Sequence, residues 1–210
     1  QYSEGSSLAL RYQTDVAAFA ALPDEVGADA WDALARLVGP GPVAEHFRPA
    51  PVTWPSDWEV AVRMNSLQMI ATEPIGEPDP GFVRLGAPDV ADMLALVERT
   101  KPGPFAARTV ELGTYLGVRS PADGELVAMT GARVPPAGSP ELSAVCTDAG
   151  ARKQGLATRL VRAVAADIEA RGETPILHVL AENHSAIRVY ESLGFTTRVA
   201  FETLMLLAPR

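Results

Sequence analysis

The stretch at residues 146–160, CTDAGARKQGLATRL, decides how the rest of the chain is interpreted. Apolar residues with strand character precede it and apolar residues at helical spacing follow it, so a strand ends and a helix begins near Gly155. Arg152, Lys153 and Arg159 make the stretch basic, although the whole chain carries a formal net charge of −8. Because the first amides of a helix lack intrahelical partners and carry partial positive charge, this turn predicts an anion site.

The predicted anion site combines small residues with a hydroxyl side chain. Gly155 lets phosphate oxygens approach the backbone, Ala157 keeps a neighbouring position small, and Thr158 offers a hydroxyl. Neither GxxxxGK(S/T) nor GxGxxG occurs in this turn, so a P-loop and a Rossmann dinucleotide site are not predicted. An ordinary helix start with a solvated basic face fits the turn equally well.

Length and composition are those of a globular protein. The 210 residues suit one domain, or one domain with an extra lobe, and the 47% of apolar residues can form a sizeable core. The acidic balance argues against nucleic acid and anionic membranes as partners, since both bind basic surfaces. The single cysteine, Cys146, excludes an intrachain disulfide, and no apolar run is long enough to span a membrane, so we expect a cytoplasmic protein.

The first part of the chain ends in a segment rich in proline and glycine. Three prolines and two glycines in residues 73–81, EPIGEPDPG, favour a linker, because such a segment forms neither a helix nor a central strand. We expect residues 1–78 to form an N-terminal extension with a helix at 24–38 and short strands at 58–64 and 67–72. This extension carries no catalytic signature.

The second part, residues 79–210, is predicted to be a mixed α/β domain. From residue 82 onward the hydrophobic periodicity predicts the order β-α-β-β-β-α-β-α-β. Gly172 and Gly194 are predicted to end the last two helices of this order.

Two short motifs in this second part resemble a known family. Arg152 to Ala157, RKQGLA, match the signature (Q/R)xxGx(G/A) of the GNAT superfamily, the acetyl-CoA-dependent N-acetyltransferases. Residues 183–195, NHSAIRVYESLGF, resemble its second signature, an Asn and an Ala followed by YxxLGF. The resemblance covers about residues 80–210 and is closest to glycine-N-acyltransferase-like C-terminal domains. It implies a mixed, mostly antiparallel sheet, splayed between its fourth and fifth strands, with helices on both faces.

The resemblance also implies where acetyl-CoA binds. The pyrophosphate would lie on the amides of the turn, the pantetheine arm would pair with residues 145–147 like an added strand, and the second signature would line the opposite side. A splayed strand suits this role because its N–H and C=O groups lack partners. The implied cofactor-binding residues are Val145, Cys146, Thr147, Arg152, Lys153, Gln154, Gly155, Leu156, Ala157, Thr158, Asn183, Ala186 and Tyr190.

Two residues are predicted to take part in the chemistry. Tyr190 matches the tyrosine that acts in the family as general acid toward the coenzyme A sulfur; the alternative is a core tyrosine. Glu141 matches a glutamate that in some members takes the amine proton, often through water; the alternative is a solvated glutamate at a strand start. By alternation along the strand, Glu141, Ser143, Val145 and Thr147 would share one face.

Other reactive side chains are assigned no chemistry. Cys146 has no matching His and Asp, so we expect a core cysteine rather than a nucleophile. His178 and His184 are expected to be structural, with His178 a minor candidate for lining the site. No metal-ligand spacing occurs, so no metal is predicted. Phe105 and Arg108 could contact the substrate, although their segment also fits a plain connector.

The predicted function is transfer of an acetyl group from acetyl-CoA to a primary amine of a small molecule, an amino acid or a peptide, by direct transfer in a ternary complex. The alternative is a non-catalytic, regulatory acyl-CoA-binding protein of the same fold. Residues 1–78 could be a lid, a degenerate half of a tandem GNAT pair, or a dimer surface, which is compatible with a homodimer.

Overall fold

The computed structural model describes residues 1–39, 43–49, 53–133 and 138–209, with residues 43–49 described by their backbone alone. Three strands precede each of the first three helices, and helices and strands alternate only after that. In order they are β1 (Ser3–Gly5), β2 (Leu10–Tyr12), β3 (Ala20–Ala21), α1 (Ala28–Val38), β4 (Val43–Pro49), β5 (Glu59–Ala71), β6 (Val83–Leu85), α2 (Val90–Thr100), β7 (Tyr115–Arg119), β8 (Leu126–Arg133), β9 (Glu141–Thr147), α3 (Leu156–Glu169), β10 (Ile176–Leu180), α4 (His184–Ser192) and β11 (Phe195–Leu207).

A large sheet of eight strands forms the centre of the molecule, in the order β4-β11-β5-β10-β9-β8-β7-β6. All its neighbouring strands are antiparallel except β9 and β10, which are parallel. The parallel pair is in register only at Glu141 with Ile176 and Leu142 with Leu177, after which the two strands diverge. Counted from β6, these are the fourth and fifth strands, so the predicted mixed sheet, its splay and its element order are confirmed.

The two short strands predicted at residues 58–64 and 67–72 are in fact one strand, β5, of thirteen residues. The polar pair between them, Asn65 and Ser66, interrupts the apolar pattern but not the strand. Ser66 is buried and its hydroxyl lies 3.2 Å from that of Thr203 on the neighbouring β11. Thr203 therefore provides the hydrogen-bond partner that the buried hydroxyl of Ser66 needs, and the strand continues through this polar residue.

The large sheet contains strands from both sides of residue 78. β5 lies between β10 and β11, so the predicted N-terminal extension shares a sheet with the rest of the chain. Residues 73–81 form neither helix nor strand, and they lie against α3. The amides of Ile75 and Gly76 donate to the carboxylate of Glu169 at 2.8 and 3.0 Å. The proline-rich segment thus connects two parts of one packed structure.

Helices cover both faces of the large sheet, as predicted. α3 and α4 bury one apolar cluster against it, in which Val161, Val164 and Ile168 of α3 are fully buried. α2 buries a second cluster on the other face, through Met93 and Leu96. Burial of each large apolar side chain stabilises the fold by about 1.5–3 kcal/mol. Both faces are therefore fixed around the gap between β9 and β10.

Candidate functional site

A cleft of about 800 Å³ opens where β9 and β10 diverge. Beyond Leu142, the edge of β9 that faces β10 has no strand partner in the described part of the chain. Backbone N–H and C=O groups need partners, so this open edge can bind an extended ligand that carries amides. The turn into α3 and the start of α4 line the same cleft.

A β-bulge bends β9 at this point. Met129 of β8 pairs with Cys146 and Gly131 pairs with Ser143, so two residues of β9 lie opposite Thr130 alone. One of the two, Ala144, has a φ of 53°, in the left-handed region that alanine rarely adopts. This conformation costs about 1–2 kcal/mol. The bulge turns the strand away from β10 and so contributes to the opening of the cleft.

The bulge also changes which side chains share a face of β9. Ala144 and Cys146 pack in the cluster beneath α2, whereas Leu142 and Val145 pack against the cluster beneath α3. The predicted common face of Glu141, Ser143, Val145 and Thr147 is therefore wrong, because the extra residue reverses the alternation.

The turn between β9 and α3 has the geometry of an anion site. Gly155, at the N-cap of α3, has a φ of 72°, and no side chain caps this helix end. Lys153 is also left-handed, with a φ of 63°, and Arg152 donates to the carbonyl of Thr147 at 3.2 Å. The first N–H groups of α3 therefore lie at the end of the cleft, and no side-chain oxygen caps them.

The basic side chains of this stretch divide into two groups. Arg152 and Lys153 line the cleft. Arg159 instead pairs with Asp79 at 2.6 Å, and Arg162 pairs with Glu77 at 3.3 Å. The charge available to a ligand is therefore smaller than the sequence suggests.

The structure brings nearly all the predicted cofactor-binding residues to this one cleft. Every one of them lines it except Gln154, which is exposed on the turn. Asn183 also has a structural role, because its side chain caps α4 by accepting the amide of Ala186 at 3.2 Å. The hydroxyl of Thr147 is buried in the cleft wall and has no partner among the described residues.

Tyr190 lies on α4 with its side chain in the cleft wall. It is 8% exposed and packs edge-on against Phe195 at a centroid distance of 6.0 Å. Burial raises the pKa of Tyr190 to about 12, so the phenol stays protonated at neutral pH.

Glu141 lies at the closed end of the cleft and is not the solvated glutamate of the alternative interpretation. Its side chain is 12% exposed and contacts Arg133, with both nitrogen–oxygen distances 3.3 Å, and Nδ1 of His178 at 3.1 Å. Burial raises the pKa of Glu141, but the charge of Arg133 and the hydrogen bond with His178 outweigh it and hold the pKa below its ordinary value. Glu141 is therefore a carboxylate at neutral pH.

Most residues at the closed end of the cleft were not predicted from the sequence. These residues are Arg133, Met64, Ser66 and Thr203, and His178, a minor candidate for the lining in the sequence, lies beside them. The sequence feature that could have identified them is a polar or charged residue inside an apolar strand, such as Arg133 at the end of the apolar run in β8. These residues come from different strands, so their spacing in sequence carries no motif.

The remaining candidate residues are not placed for a chemical role. Burial raises the pKa of the Cys146 thiol, which is packed beneath α2, as expected of a core cysteine. Phe105 packs against Tyr115, and Arg108 pairs with Glu111 at 2.9 Å; neither lines the cleft. In the described residues, no group of three His, Cys, Asp or Glu side chains could hold a metal ion, and no helix is long and apolar enough to cross a membrane.

Comparison with known proteins gives the same family for sequence and fold. The FR47-like protein family matches residues 115–205. A protein from Novosphingobium aromaticivorans, assigned to the acetyltransferases of the GNAT family, is 40% identical over 100% of this chain and 92% of that chain, with a TM-score of 0.90. No curated protein matches the chain.

Two further solved structures share the fold at low identity. A GCN5-related N-acetyltransferase from Kribbella flavida is 18% identical over 99% of this chain and 89% of that chain, with a TM-score of 0.57. An acetyltransferase of the GNAT family from Colwellia psychrerythraea is 14% identical over 94% and 84% of the two chains, with a TM-score of 0.56.

The relative from Novosphingobium aromaticivorans and the family match support acyl transfer as the general chemistry of this protein. The predicted likeness to glycine-N-acyltransferase-like domains stays a prediction. With 40% identity over its whole length to a GNAT-family protein, the chain belongs to the GNAT superfamily.

Proposed function

We propose that this protein is an N-acetyltransferase that moves an acetyl group from acetyl-CoA to a primary amine of a small molecule, an amino acid or a peptide, by direct transfer within a ternary complex. The observation that carries the proposal is the arrangement of the cleft. The open edge of β9 runs from the uncapped start of α3 to the buried carboxylate of Glu141. One end thus suits an anionic donor and the other an amine acceptor.

The α3 end of the cleft suits the pyrophosphate of coenzyme A. The first amides of α3 point to where its oxygens would lie, and the helix dipole adds partial positive charge. Gly155 has no Cβ to block a close approach, and a Cβ built there would meet no atom within 4 Å, so the space in front of it is open. Arg152 and Lys153 supply the charge that this acidic protein otherwise lacks.

The β9 edge suits the pantetheine arm. Its amides can pair with the open N–H and C=O groups of residues 145–147 as an added strand would. The buried hydroxyl of Thr147, without a protein partner among the described residues, is a further group that a polar ligand would satisfy. Asn183 and Ala186 line the opposite side of the cleft.

Direct transfer forms the amide C–N bond and breaks the thioester C–S bond, while one proton leaves the amine nitrogen and one reaches the sulfur. Glu141, with its lowered pKa, is a weak base toward a free ammonium ion of pKa near 10. The nitrogen becomes much more acidic as it bonds to the carbonyl carbon. At that stage Glu141 accepts the proton from the nitrogen, either directly or through a water molecule.

Tyr190 is assigned to the leaving sulfur. A thiol has a pKa of about 8.5, whereas the buried phenol has one of about 12, so complete proton transfer from Tyr190 is uphill. A hydrogen bond from the phenol to the developing thiolate avoids this cost and still stabilises the transition state.

Residues of the N-terminal extension, 1–78, are proposed to form the acceptor wall. Met64 and Ser66 line the closed end of the cleft from β5. The guanidinium of Arg133, which pairs with Glu141, lies 4.6 Å from the ring centroid of Phe19. The extension therefore shapes the surroundings of the proposed base.

Coenzyme A release with a panel of amines tests the function. Purified protein is incubated with acetyl-CoA and each amine, the free thiol is titrated, and acetyl-CoA binding is measured by calorimetry. Release that depends on a particular amine supports the proposal. Tight acetyl-CoA binding without release for any amine would instead favour the non-catalytic, regulatory alternative.

A further inference from the structure

A line of hydrogen bonds crosses four strands at the closed end of the cleft. Nε of Arg198 on β11 donates to Oε1 of Gln68 on β5 at 2.5 Å. Nε2 of Gln68 lies 3.1 Å from Nε2 of His178 on β10, and Nδ1 of His178 lies 3.1 Å from Oε1 of Glu141 on β9. We call these four residues the polar chain.

Two features of the sheet hold the outer members of the polar chain together. His178 and Gln68 are directly opposite each other in the antiparallel register of β10 and β5. In β11, Thr197 pairs with Met69 and Val199 with Gln68, so Arg198 is the extra residue of a bulge. A bulge re-aims a side chain, and here it brings the guanidinium beside the carbonyl oxygen of Gln68.

The chemistry of the donors decides the direction of every bond in the polar chain. An arginine only donates, so the Gln68 atom that faces Arg198 is the carbonyl oxygen. The amide nitrogen of Gln68 therefore faces His178 and donates, and Nε2 of His178 must accept. The imidazole proton then lies on Nδ1 and is donated to Glu141.

The imidazolium form of His178 does not fit this arrangement. In that form Nε2 carries a proton and would face the amide nitrogen of Gln68, which is also a donor. The clash could be avoided only if the Gln68 amide rotated and gave up its hydrogen bond with Arg198. The charged groups packed around His178 are Glu141 from β9, Arg133 behind that carboxylate on β8, and Arg198 behind Gln68 on β11. The ring of Phe201 on β11 packs edge-on at a centroid distance of 5.5 Å.

We propose that Arg198 and Gln68 are positioning residues that hold His178 in its neutral Nδ1–H tautomer, so that His178 fixes one oxygen of Glu141 toward the acceptor. His178 is then neither the base nor a proton relay, because both its ring nitrogens are already engaged. The role given to Glu141 rests on the proposed function. The tautomer of His178 rests on geometry alone.

The tautomer can be read directly by nuclear magnetic resonance. Long-range ¹H–¹⁵N spectra of ¹⁵N-labelled wild-type protein at pH 7.5 separate protonated from unprotonated ring nitrogens, and the chain has only three histidines. A His178→Gln sample identifies the signals of His178. We expect a protonated Nδ1 and an unprotonated Nε2; a protonated Nε2 overturns the proposal. This spectrum needs no turnover, so it stands even if no amine is acetylated.

Variants test whether Arg198 sets the tautomer. Arg198→Met removes the fixed donor, and we expect mixed tautomers of His178 and a loss of about 10-fold in kcat, with an unchanged KM for acetyl-CoA. Arg198→Lys, which also only donates, should restore both. Glu202→Gln is the matched control, because it breaks an ion pair with Arg63 between the same two strands.

The proposal is contradicted if the His178 signals of Arg198→Met are the same as those of the wild type. It is also contradicted if the kcat of Arg198→Met is no lower than that of Glu202→Gln. If a variant does not fold, the wild-type spectrum still decides the tautomer. If the wild type acetylates no amine, the proposed function fails while the tautomer assignment is judged on its own.

Discussion

Nδ1 of His178 lies 3.1 Å from Oε1 of Glu141, beside the short paired part of the parallel strands β9 and β10. Leu142 and Leu177 form the last pair in register, and beyond them the sheet opens into the cleft. The buried carboxylate therefore marks the floor of the cleft, and the uncapped start of α3 marks its other end.

Glu141→Gln should cost both activity and stability. It leaves Arg133, whose side chain is 8% exposed, without its carboxylate, and breaking a buried pair in this way costs about 3–5 kcal/mol. Urea unfolding at pH 7 measures this loss. A value within about 0.5 kcal/mol of wild type would contradict a buried ion pair.

The same substitution should also change the acid sensitivity of the fold. The pKa of Glu141 is lowered in the folded state, so its contribution is present above the unfolded value of about 4.3 and is lost as the pH falls through the lower folded pKa. Between about pH 5 and pH 2, Glu141→Gln should therefore lose less stability than the wild type. Asp79 and Asp89, whose pKa values are also lowered, contribute equally to both proteins and cancel in the difference.

Tyr190→Phe should slow transfer without weakening donor binding. Removing the hydroxyl deletes the hydrogen bond to the leaving sulfur, and we expect kcat to fall by about 10²-fold. The ring remains packed against Phe195, so the KM for acetyl-CoA should stay unchanged. Tyr12→Phe, at a tyrosine that does not line the cleft, is the control. A raised KM for acetyl-CoA with an unchanged kcat would instead assign Tyr190 to donor binding.

Ala144→Gly should be unusually well tolerated for a buried alanine in a strand. The change loses a methyl group and adds unfolded-state entropy, together about 1–2 kcal/mol, but relieves about 1–2 kcal/mol of left-handed strain. Ala132→Gly in β8 is the matched control, because it is buried to a similar extent, 6% against 9% exposed, and has no positive φ. We expect Ala132→Gly to lower the free energy of unfolding by about 1 kcal/mol more. Equal losses would argue that the bulge carries no strain.

The elements around the cleft could be predicted because their signals are local. The apolar spacing of α3, the strand run of β10 and the stop at Gly194 each lie within a few residues, and all are confirmed. The resemblance carried by the two motifs also implied that the strand before α3 and the strand before α4 are neighbours that splay apart, and the sheet has β9 beside β10.

The parts that could not be predicted depend on partners far away in sequence. β5 is continuous because Ser66 finds Thr203, 137 positions later. Gln68 meets His178 across 110 positions. The bulge at Ala144 has no sequence signal at all, because alanine is not a residue that favours a positive φ. Polar residues inside apolar strands were the available indication that such partners exist.

Gly131→Ala should destabilise the sheet beside the bulge. Gly131 pairs with Tyr115 across β8 and β7, and the ring of Tyr115 lies over it. A Cβ at residue 131 would come within 2.2 Å of ring carbon Cδ1. Tyr115 is fully buried among Met93, Leu96 and other apolar side chains, so the ring has no space into which to move.

Overpacking of this kind costs about 1–3 kcal/mol, and each kcal/mol lowers Tm by about 2–4 °C in a chain of this size. For a cost in the middle of this range, about 2 kcal/mol, we expect Gly131→Ala to melt roughly 4–8 °C below the wild type. Gly86→Ala is the matched control, since its Cβ would meet only Cδ of Pro88 at 3.8 Å. Calorimetric melting of both variants separates the two cases. An unchanged Tm for Gly131→Ala would mean that Tyr115 can leave its place over the glycine, and that the packing beneath α2 does not hold the bulge of β9 in position.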